Sequence, residues 1–383
     1  MAVESGSVTL RRLYINGKCK ASSDASWIEN LKANAFSYKK LKPDDENQGF
    51  AVMGNELSSD FNLDNSIFGK YVLFSLRKDV KKIQRTLLNL HVKERIKERL
   101  KELEADTISQ KQKGEIKNEV LEELNQNTPE SIQILQVIID TARKEVFISS
   151  TSDKMVESVE VLFNKAFGIK LIEANSMATA QNLLDADTFE EVLDNPGYDS
   201  VDGMEVHPDF QDGPEAKLGS GFLTWLYYYL NAGEGTWKGK SVGEFGIIMN
   251  DYLLLEGEAL GSKQTLLKKG LITKCAELST AFNVGKQVSK VKMECARDNG
   301  ADAEEQWVFT IDKANFDLSS LKVPKYSEGN QAARTLGRLN YIIEAFEIID
   351  EMFLHFLELR YSNKWKSTVK ELKNWIGLLR GNF

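Results

Sequence analysis

The stretch from residue 131 to residue 173 constrains the fold more than any other. Ile132–Asp140 (IQILQVIID) and Glu145–Ser150 (EVFISS) are two apolar runs rich in β-branched residues, and Thr141–Lys144 between them is long enough only for a tight turn. An amphipathic helix over Ser152–Phe167 follows, with Ser152 at its N-cap, and Lys170–Glu173 reads as a short closing strand. This β-β-α-β order predicts antiparallel pairing with helices packed on the sheet, an α+β fold class.

The rest of the chain repeats the alternation loosely. Val8–Gly17 reads as a strand ending in an Asn-Gly turn, Ser26–Asn34 as a short helix, Phe50–Gly54 as a strand and Lys70–Arg77 as a strong strand. Lys81–Leu103 has apolar residues near helical spacing among many Lys, Arg and Glu. A polar turn at Ser109–Gly114 and a helix over Glu115–Asn125 complete a charged helical hairpin projecting from the body. Gly221–Leu230 (GFLTWLYYYL) reads as a buried helix, whose aromatic spacing fits core better than base stacking. Strands are expected at Phe245–Met249 and Tyr252–Leu255, turned by Asn250 and Asp251. Leu271–Lys292 and Trp307–Asp312 read as β-rich, with Asp298–Glu305 as loop. Arg334–Arg360 carries a broad apolar stripe from Leu336 to Phe356, which predicts self-association, and a last helix falls at Lys364–Leu379.

Composition narrows the function classes. The 383 residues are 42% hydrophobic and carry three cysteines, Cys19, Cys275 and Cys295, too few and too far apart for a disulfide framework or a zinc site. Free thiols, no signal-peptide pattern and no spanning apolar run place the chain in the cytoplasm with no membrane partner. The net charge of −8 argues against a nucleic-acid partner, but its distribution argues the other way. Arg77–Lys101 holds ten Lys and Arg against three acidic residues, and Gly261–Lys292 holds seven Lys against one Glu. Asp185–Glu215 holds eleven acidic residues and no basic one.

Few residues suggest chemistry. Gly257–Gly261 (GEALG) lacks the Lys-Ser/Thr of a phosphate loop and reads as a turn. His91, His207 and His355 are isolated, and His355 on its apolar helix reads as a packed side chain. The acidic run could hold Mg²⁺ in a nuclease, but no basic residue accompanies it, and a solvated connector is the simpler account. No catalytic residue, metal ligand or cofactor is expected. The basic segments are the functional signal: Lys78, Lys81, Lys82, Arg85, Lys263, Lys268, Lys269, Lys274, Lys286, Lys290 and Lys292 are candidate contacts to nucleic-acid phosphates, without a base-reading motif.

The order of elements resembles the RdgC family of recombination-associated proteins. The resemblance rests on GFAVMG (49–54), YVLFSLRKDVKKI (71–83) and the hairpin LKELEADTISQKQKGEIKNEVLEEL (100–124). In the second half it rests on LTWL (223–226), LLKKGLITKCAEL (266–278), VGKQVSKVKME (284–294) and the long apolar helix. It implies a horseshoe-shaped subunit that closes into a ring-shaped homodimer. The ring would grip double-stranded DNA without sequence preference in a basic hole, associate with the nucleoid and restrain RecA-type strand exchange, with a RecA-type recombinase as a further partner. The acidic connector and the segment 364–383 depart from the family pattern. The implied division is an N-terminal α+β part (1–80), the hairpin (81–130), its completing sheet and helix (131–175), the connector (176–220) and a C-terminal α+β part (221–383). Two rivals stand beside DNA binding: a regulator that works on a recombinase or another DNA enzyme through protein contacts, and a metal-dependent nuclease.

Overall fold

The computed structural model describes residues 3–194, 214–249, 251–257, 262–297 and 305–379. β1 (Val8–Asn16) leads to α1 (Ser26–Ala33), β2 (Glu46–Ala51), α2 (Leu63–Ser66), β3 (Ile67–Phe68) and β4 (Tyr71–Val80). Two helices, α3 (Arg85–Glu102) and α4 (Gln110–Asn127), stand between β4 and its partner β5 (Ser131–Asp140). β6 (Glu145–Ile148), α5 (Asp153–Phe167), β7 (Lys170–Glu173), α6 (Ser176–Leu183), α7 (Ala186–Asp194) and α8 (Pro214–Ala232) follow. Next come β8 (Thr236–Lys238), β9 (Glu244–Ile248), β10 (Tyr252–Glu256), β11 (Gln264–Lys268), α9 (Ala276–Asn283), β12 (Gln287–Arg297), β13 (Glu305–Asp312) and β14 (Leu318–Lys322). α10 (Gln331–Arg360) and α11 (Trp365–Leu378) end the chain.

The strands form one 14-stranded sheet whose main path runs β11-β10-β12-β13-β14-β1-β6-β5-β4-β2. Every strand pairing described is antiparallel. β1 is the joint. Val8 and Leu10 pair with β14, whereas Arg11–Tyr14 pair with β6 and Leu13–Asn16 with β7. One strand therefore belongs to both ends of the sheet.

The alternation of side chains along β1 explains what packs on each face. Leu13 and Ile15 enter a core shared with Trp27 and Leu31 of α1 and with Val156, Val159 and Phe163 of α5. Val8 and Leu10 enter the larger core, which α8, α9, α10 and α11 complete. The thirty-residue helix α10 is that core's spine. It buries Leu339, Ile342, Phe346, Ile349, Phe353 and Phe356 within its own chain, and Phe346 meets Phe147 of β6 at 4.8 Å between ring centroids. The expectation that this stripe is a self-association surface is thus corrected: its apolar area is already covered by the sheet and α8.

Between the two apolar faces of β1 lie Arg11 and Arg12, both buried. Arg11 donates to Asp317 before β14 at 2.8 Å, to Asp153 at the start of α5 at 2.6 Å and to the Thr151 carbonyl at 2.9 Å. Arg12, on the opposite face, makes two bonds to Asp350 of α10 at 2.6 and 2.7 Å and approaches Glu145 of β6 at 3.5 Å. Arg143 reaches the same carboxylates, Glu145 at 2.7 Å and Asp350 at 3.2 Å. A buried guanidinium is tolerated when it meets oppositely charged partners, as the terminal nitrogens of Arg12 do here, whereas its buried Nε makes no hydrogen bond.

The fold class read from the sequence stands: a mixed α+β protein with a large antiparallel sheet and eleven α-helices among the described residues. Several local readings change. The region 271–284 is not a strand: Leu278, Ala281 and Phe282 recur at helical spacing and are buried on α9, after a 3-10 turn at Ile272–Lys274. α4 begins at Gln110, not Glu115, because Ser109 and Gln112 form a reciprocal capping box that carries the helix through Gly114. β2 ends at Ala51 because a turn follows in which Gly54 has φ +80°. β11 and β14 escaped the sequence reading. Ser152 does occupy the N-cap of α5, but its side chain makes no capping bond. The expected loop at 298–304, the expected turns at Asn250 and 258–261, and most of the acidic connector lie outside the described residues; the connector's first part is the helix α7.

The joint makes a stability prediction. Arg12→Met leaves Glu145 and Asp350 buried with Arg143 alone, and is expected to cost about 3–5 kcal/mol in equilibrium denaturant unfolding. Arg12→Met combined with Asp350→Leu is expected to recover most of that loss.

Candidate nucleic-acid interface

The first basic segment divides into cations the fold uses and cations it leaves outside. Arg77 clamps Asp79 at 2.8 and 2.7 Å and lies over the Phe36 ring. Lys78 is 6% exposed and pairs with Glu46 across β2 at 2.8 Å. Lys81 is buried too, and its Nζ donates to the Thr128 carbonyl where α4 returns to the sheet. Lys78 and Lys81, read from the sequence as phosphate contacts, are thus used by the fold: Lys78 ties β4 to β2, and Lys81 ties the end of β4 to the hairpin. Lys82 and Arg85 are exposed and have no ion pair among the described residues.

Beyond Arg85 the hairpin mixes signs, a pattern that usually means a solvated helix surface. The helix sorts those signs. Arg85, Lys93, Lys97 and Lys101 fall on one i, i+4 ridge of α3, all exposed and none ion-paired among the described residues. The neighbouring row Glu94, Glu98 and Glu102 is where the pairs form, Arg95 with Glu98 and Arg99 with Glu102. Successive like charges at i, i+4 cost roughly 0.2–0.5 kcal/mol per pair, so helix stability does not account for the ridge. Lys111, Lys113 and Lys117 add exposed cations on α4. Charge counted by helical ridge, rather than along the chain, would have found this row. α3 and α4 pack on each other through a small cluster of their own built on Ile108, Ile116 and Val120.

The second segment lies at the opposite end of the sheet path, on β11, β10 and β12. The register Tyr252↔Lys268 and Leu254↔Lys290 puts Lys268, Lys290 and Lys292 on one face. Lys268 is exposed with its Nζ 5.4 Å from the Tyr252 ring centroid. Lys290 pairs with Asp312 at 3.1 Å; burial pulls its pKa down, but Asp312 outweighs that and the net shift is upward. Lys292 bonds Asp251 at 2.5 Å and Glu294 at 2.8 Å, and those bonds raise its pKa. Lys286 is buried and donates to Thr265 at 2.8 Å; burial lowers its pKa. Lys263, Lys269 and Lys274 are exposed, Lys269 in a left-handed turn with φ +61° beside Gly270. Of the lysines expected here, Lys286, Lys290 and Lys292 are engaged by the fold, while Lys268, Lys269 and Lys274 present open ammonium groups.

No group of three or more His, Cys, Asp or Glu side chains among the described residues could hold a metal ion, and His207 with most of the acidic connector lies outside them. The aromatic helix α8 is core, with Phe222, Trp225 and Tyr227 buried. His355 is packed among Trp225, Tyr229 and Trp237 at 5.5–6.4 Å between centroids. Cys19, Cys275 and Cys295 are free thiols, and burial pushes that of Cys295 up to about 12. No helix among the described residues is long and apolar enough to cross a membrane.

The fold and these surfaces define a mixed α+β protein that offers exposed cations on a helical hairpin and at the far edge of a long sheet. Residues 23–185, less than half of the chain, match the family model described as "Putative exonuclease, RdgC". The match spans α1 to the end of α6, the hairpin ridge included, and so takes in the first-half motifs; those of the second half lie beyond it. No curated protein matches the chain.

His355 supplies a pH prediction. Burial lowers its pKa below the usual 6.5, against the pull of Glu358 and with the help of Lys240. The unfolded imidazole therefore takes up a proton that the folded one resists. The contribution of His355 to stability is full above pH 6.5 and is lost as pH falls below it. Unfolding measured between about pH 5 and 7 should show stability rising with pH, with a shallower slope in His355→Gln.

Proposed function

We propose that this chain binds double-stranded DNA through the phosphate backbone, without sequence preference, and acts in homologous recombination without cutting DNA. The observation that carries the reading is the exposed ridge Arg85, Lys93, Lys97 and Lys101 on α3, which lies inside the part matched by a recombination-associated family. A row of exposed cations one helical turn apart, without a base-reading motif, suits phosphate contact, which gives affinity and salt dependence but no sequence information. Lys82 extends the ridge, and Lys268, Lys269, Lys263 and Lys274 form the second contact region.

We draw the wider arrangement from the resemblance to the RdgC family. A horseshoe subunit pairing with a second copy into a ring would bring the two basic ends of each sheet around one duplex. The net charge of −8 is then carried on the outside, and such a ring would restrain RecA-type strand exchange as part of the nucleoid. The division of the chain into an N-terminal part, hairpin, completing sheet, connector and C-terminal part belongs to the same proposal. The family description names an exonuclease, so the nuclease alternative has a specific source. Release of nucleotides from a DNA end, abolished by EDTA, would favour it.

Alanine in place of Lys93, Lys97 and Lys101 together should weaken duplex binding and flatten log K against log salt by roughly 0.9 for each phosphate contact removed. Lys268→Ala with Lys269→Ala should act in the same direction, and Lys364→Ala with Lys366→Ala much less. Thermal melting should barely move, since exposed lysines outside pairs and caps change stability by about 0.5 kcal/mol or less. An unchanged slope in the triple variant would reject the hairpin as the contact surface.

A further inference from the structure

A cleft of about 600 Å³ lies where the chain before β1, the segment after β14 and the first turns of α10 meet. Its walls carry Lys322, Lys325, Arg334 and Arg338 against a single acid, Glu4. Arg338 is committed to the wall, donating to the carbonyls of Val3 at 2.5 Å and Gly6 at 2.6 Å. Arg334 donates through Nε to the Gly329 carbonyl at 3.3 Å, which leaves the outer nitrogens of its guanidinium available. Lys322 and Lys325 are exposed and have no ion pair among the described residues. The Glu4 carboxylate lies against Gly54, where burial and Glu56 raise its pKa.

An aromatic ring is built into the same cleft. Tyr326 lies on α10 over Gly337, where any Cβ would overlap the ring, and its edge meets Tyr341 at 6.3 Å between centroids. Glycine inside a helix is destabilising relative to alanine, so its presence at Gly337 is explained by the ring it seats. Tyr326 nevertheless remains 36% exposed, presenting π surface to the cleft among the cations. A seated aromatic ring flanked by phosphate-binding cations is the arrangement by which proteins hold unstacked bases, and the volume falls in the range of small-ligand sites.

We propose that this cleft takes one unstacked nucleotide of a single-stranded nucleic acid, with its base on Tyr326 and its flanking phosphates on Lys322, Lys325 and Arg334. The inference rests on the reading of the chain as a nucleic-acid binder, but it assigns a surface separate from the hairpin ridge and the β11 edge. A duplex, whose bases are stacked and paired, cannot offer its base to Tyr326.

The test uses the full chain, a labelled oligothymidylate and a duplex of equal length. Tyr326→Leu should weaken oligothymidylate binding about five-fold or more, and Tyr326→Phe should retain it. Lys322→Ala with Lys325→Ala, at side chains the fold does not use, should flatten the single-strand salt slope by about 0.7 per contact. Duplex affinity of all three variants should stay within about two-fold of the parent. Unchanged oligothymidylate binding in Tyr326→Leu and in the lysine pair overturns the proposal, as do equal losses on duplex. A parent chain that binds duplex but not oligothymidylate also overturns it while leaving duplex binding in place; a parent that binds neither removes both.

Discussion

Two adjacent arginines on one strand hold the molecule together. Neighbouring residues of a strand point to opposite faces, so Arg11 and Arg12 send their guanidinium groups into opposite layers. Arg11 gathers Asp153, Glu173 and Asp317; Arg12 gathers Glu145 and Asp350. Each cluster contains carboxylates from both sides of the joint, Asp153 and Glu145 from the first half of the chain, Asp317 and Asp350 from the second. Buried ion pairs add little net stability over apolar packing, but breaking one is costly, so such contacts specify a geometry more than they strengthen it. Here the specified geometry is the partner switch of β1, which makes one sheet of two strand sets.

That switch decides where the candidate interfaces lie. Because β1 stands mid-path, the hairpin leaves the sheet from β4 near one end, and β11 closes the other. The basic segments cannot merge through neighbouring strands. They are two separate groups of cations at opposite ends of the sheet path. The cleft at Tyr326 sits by the joint itself, between the start of β1 and the end of β14.

Much of the architecture was legible in the sequence, for identifiable reasons. The alternation in Lys70–Arg77 and the apolar run in Ile132–Asp140 specify strands because both are buried along most of their length. The stripe of Arg334–Arg360 marked a helix correctly and its use wrongly: periodicity shows that a face is buried, not whether the cover comes from the same chain. β11, with only partly buried residues, and the short β14 carry too little pattern to be seen, and α9 hid in a lysine-flanked run. Counting lysines in a linear window does not separate exposed cations from those the fold uses. Lys78, Lys81 and Lys286 are buried by contacts with Glu46, the Thr128 carbonyl and Thr265, partners 21 to 47 positions away in sequence or across a strand register that no window contains. The ridge on α3 was readable, had the helix been projected before its charges were summed. Tyr326 and Gly337 were not, because a glycine within a helical pattern does not announce which ring it seats.

The central claim is that the chain grips the DNA backbone rather than the bases, and equilibrium binding to two duplexes of equal length and unrelated sequence tests it most directly. Measured from about 50 to 200 mM salt, the two duplexes should give equal affinities at every concentration and one shared steep line of log K against log salt, as phosphate contact with counterion release requires. A strong preference for one duplex, or binding indifferent to salt, would contradict it.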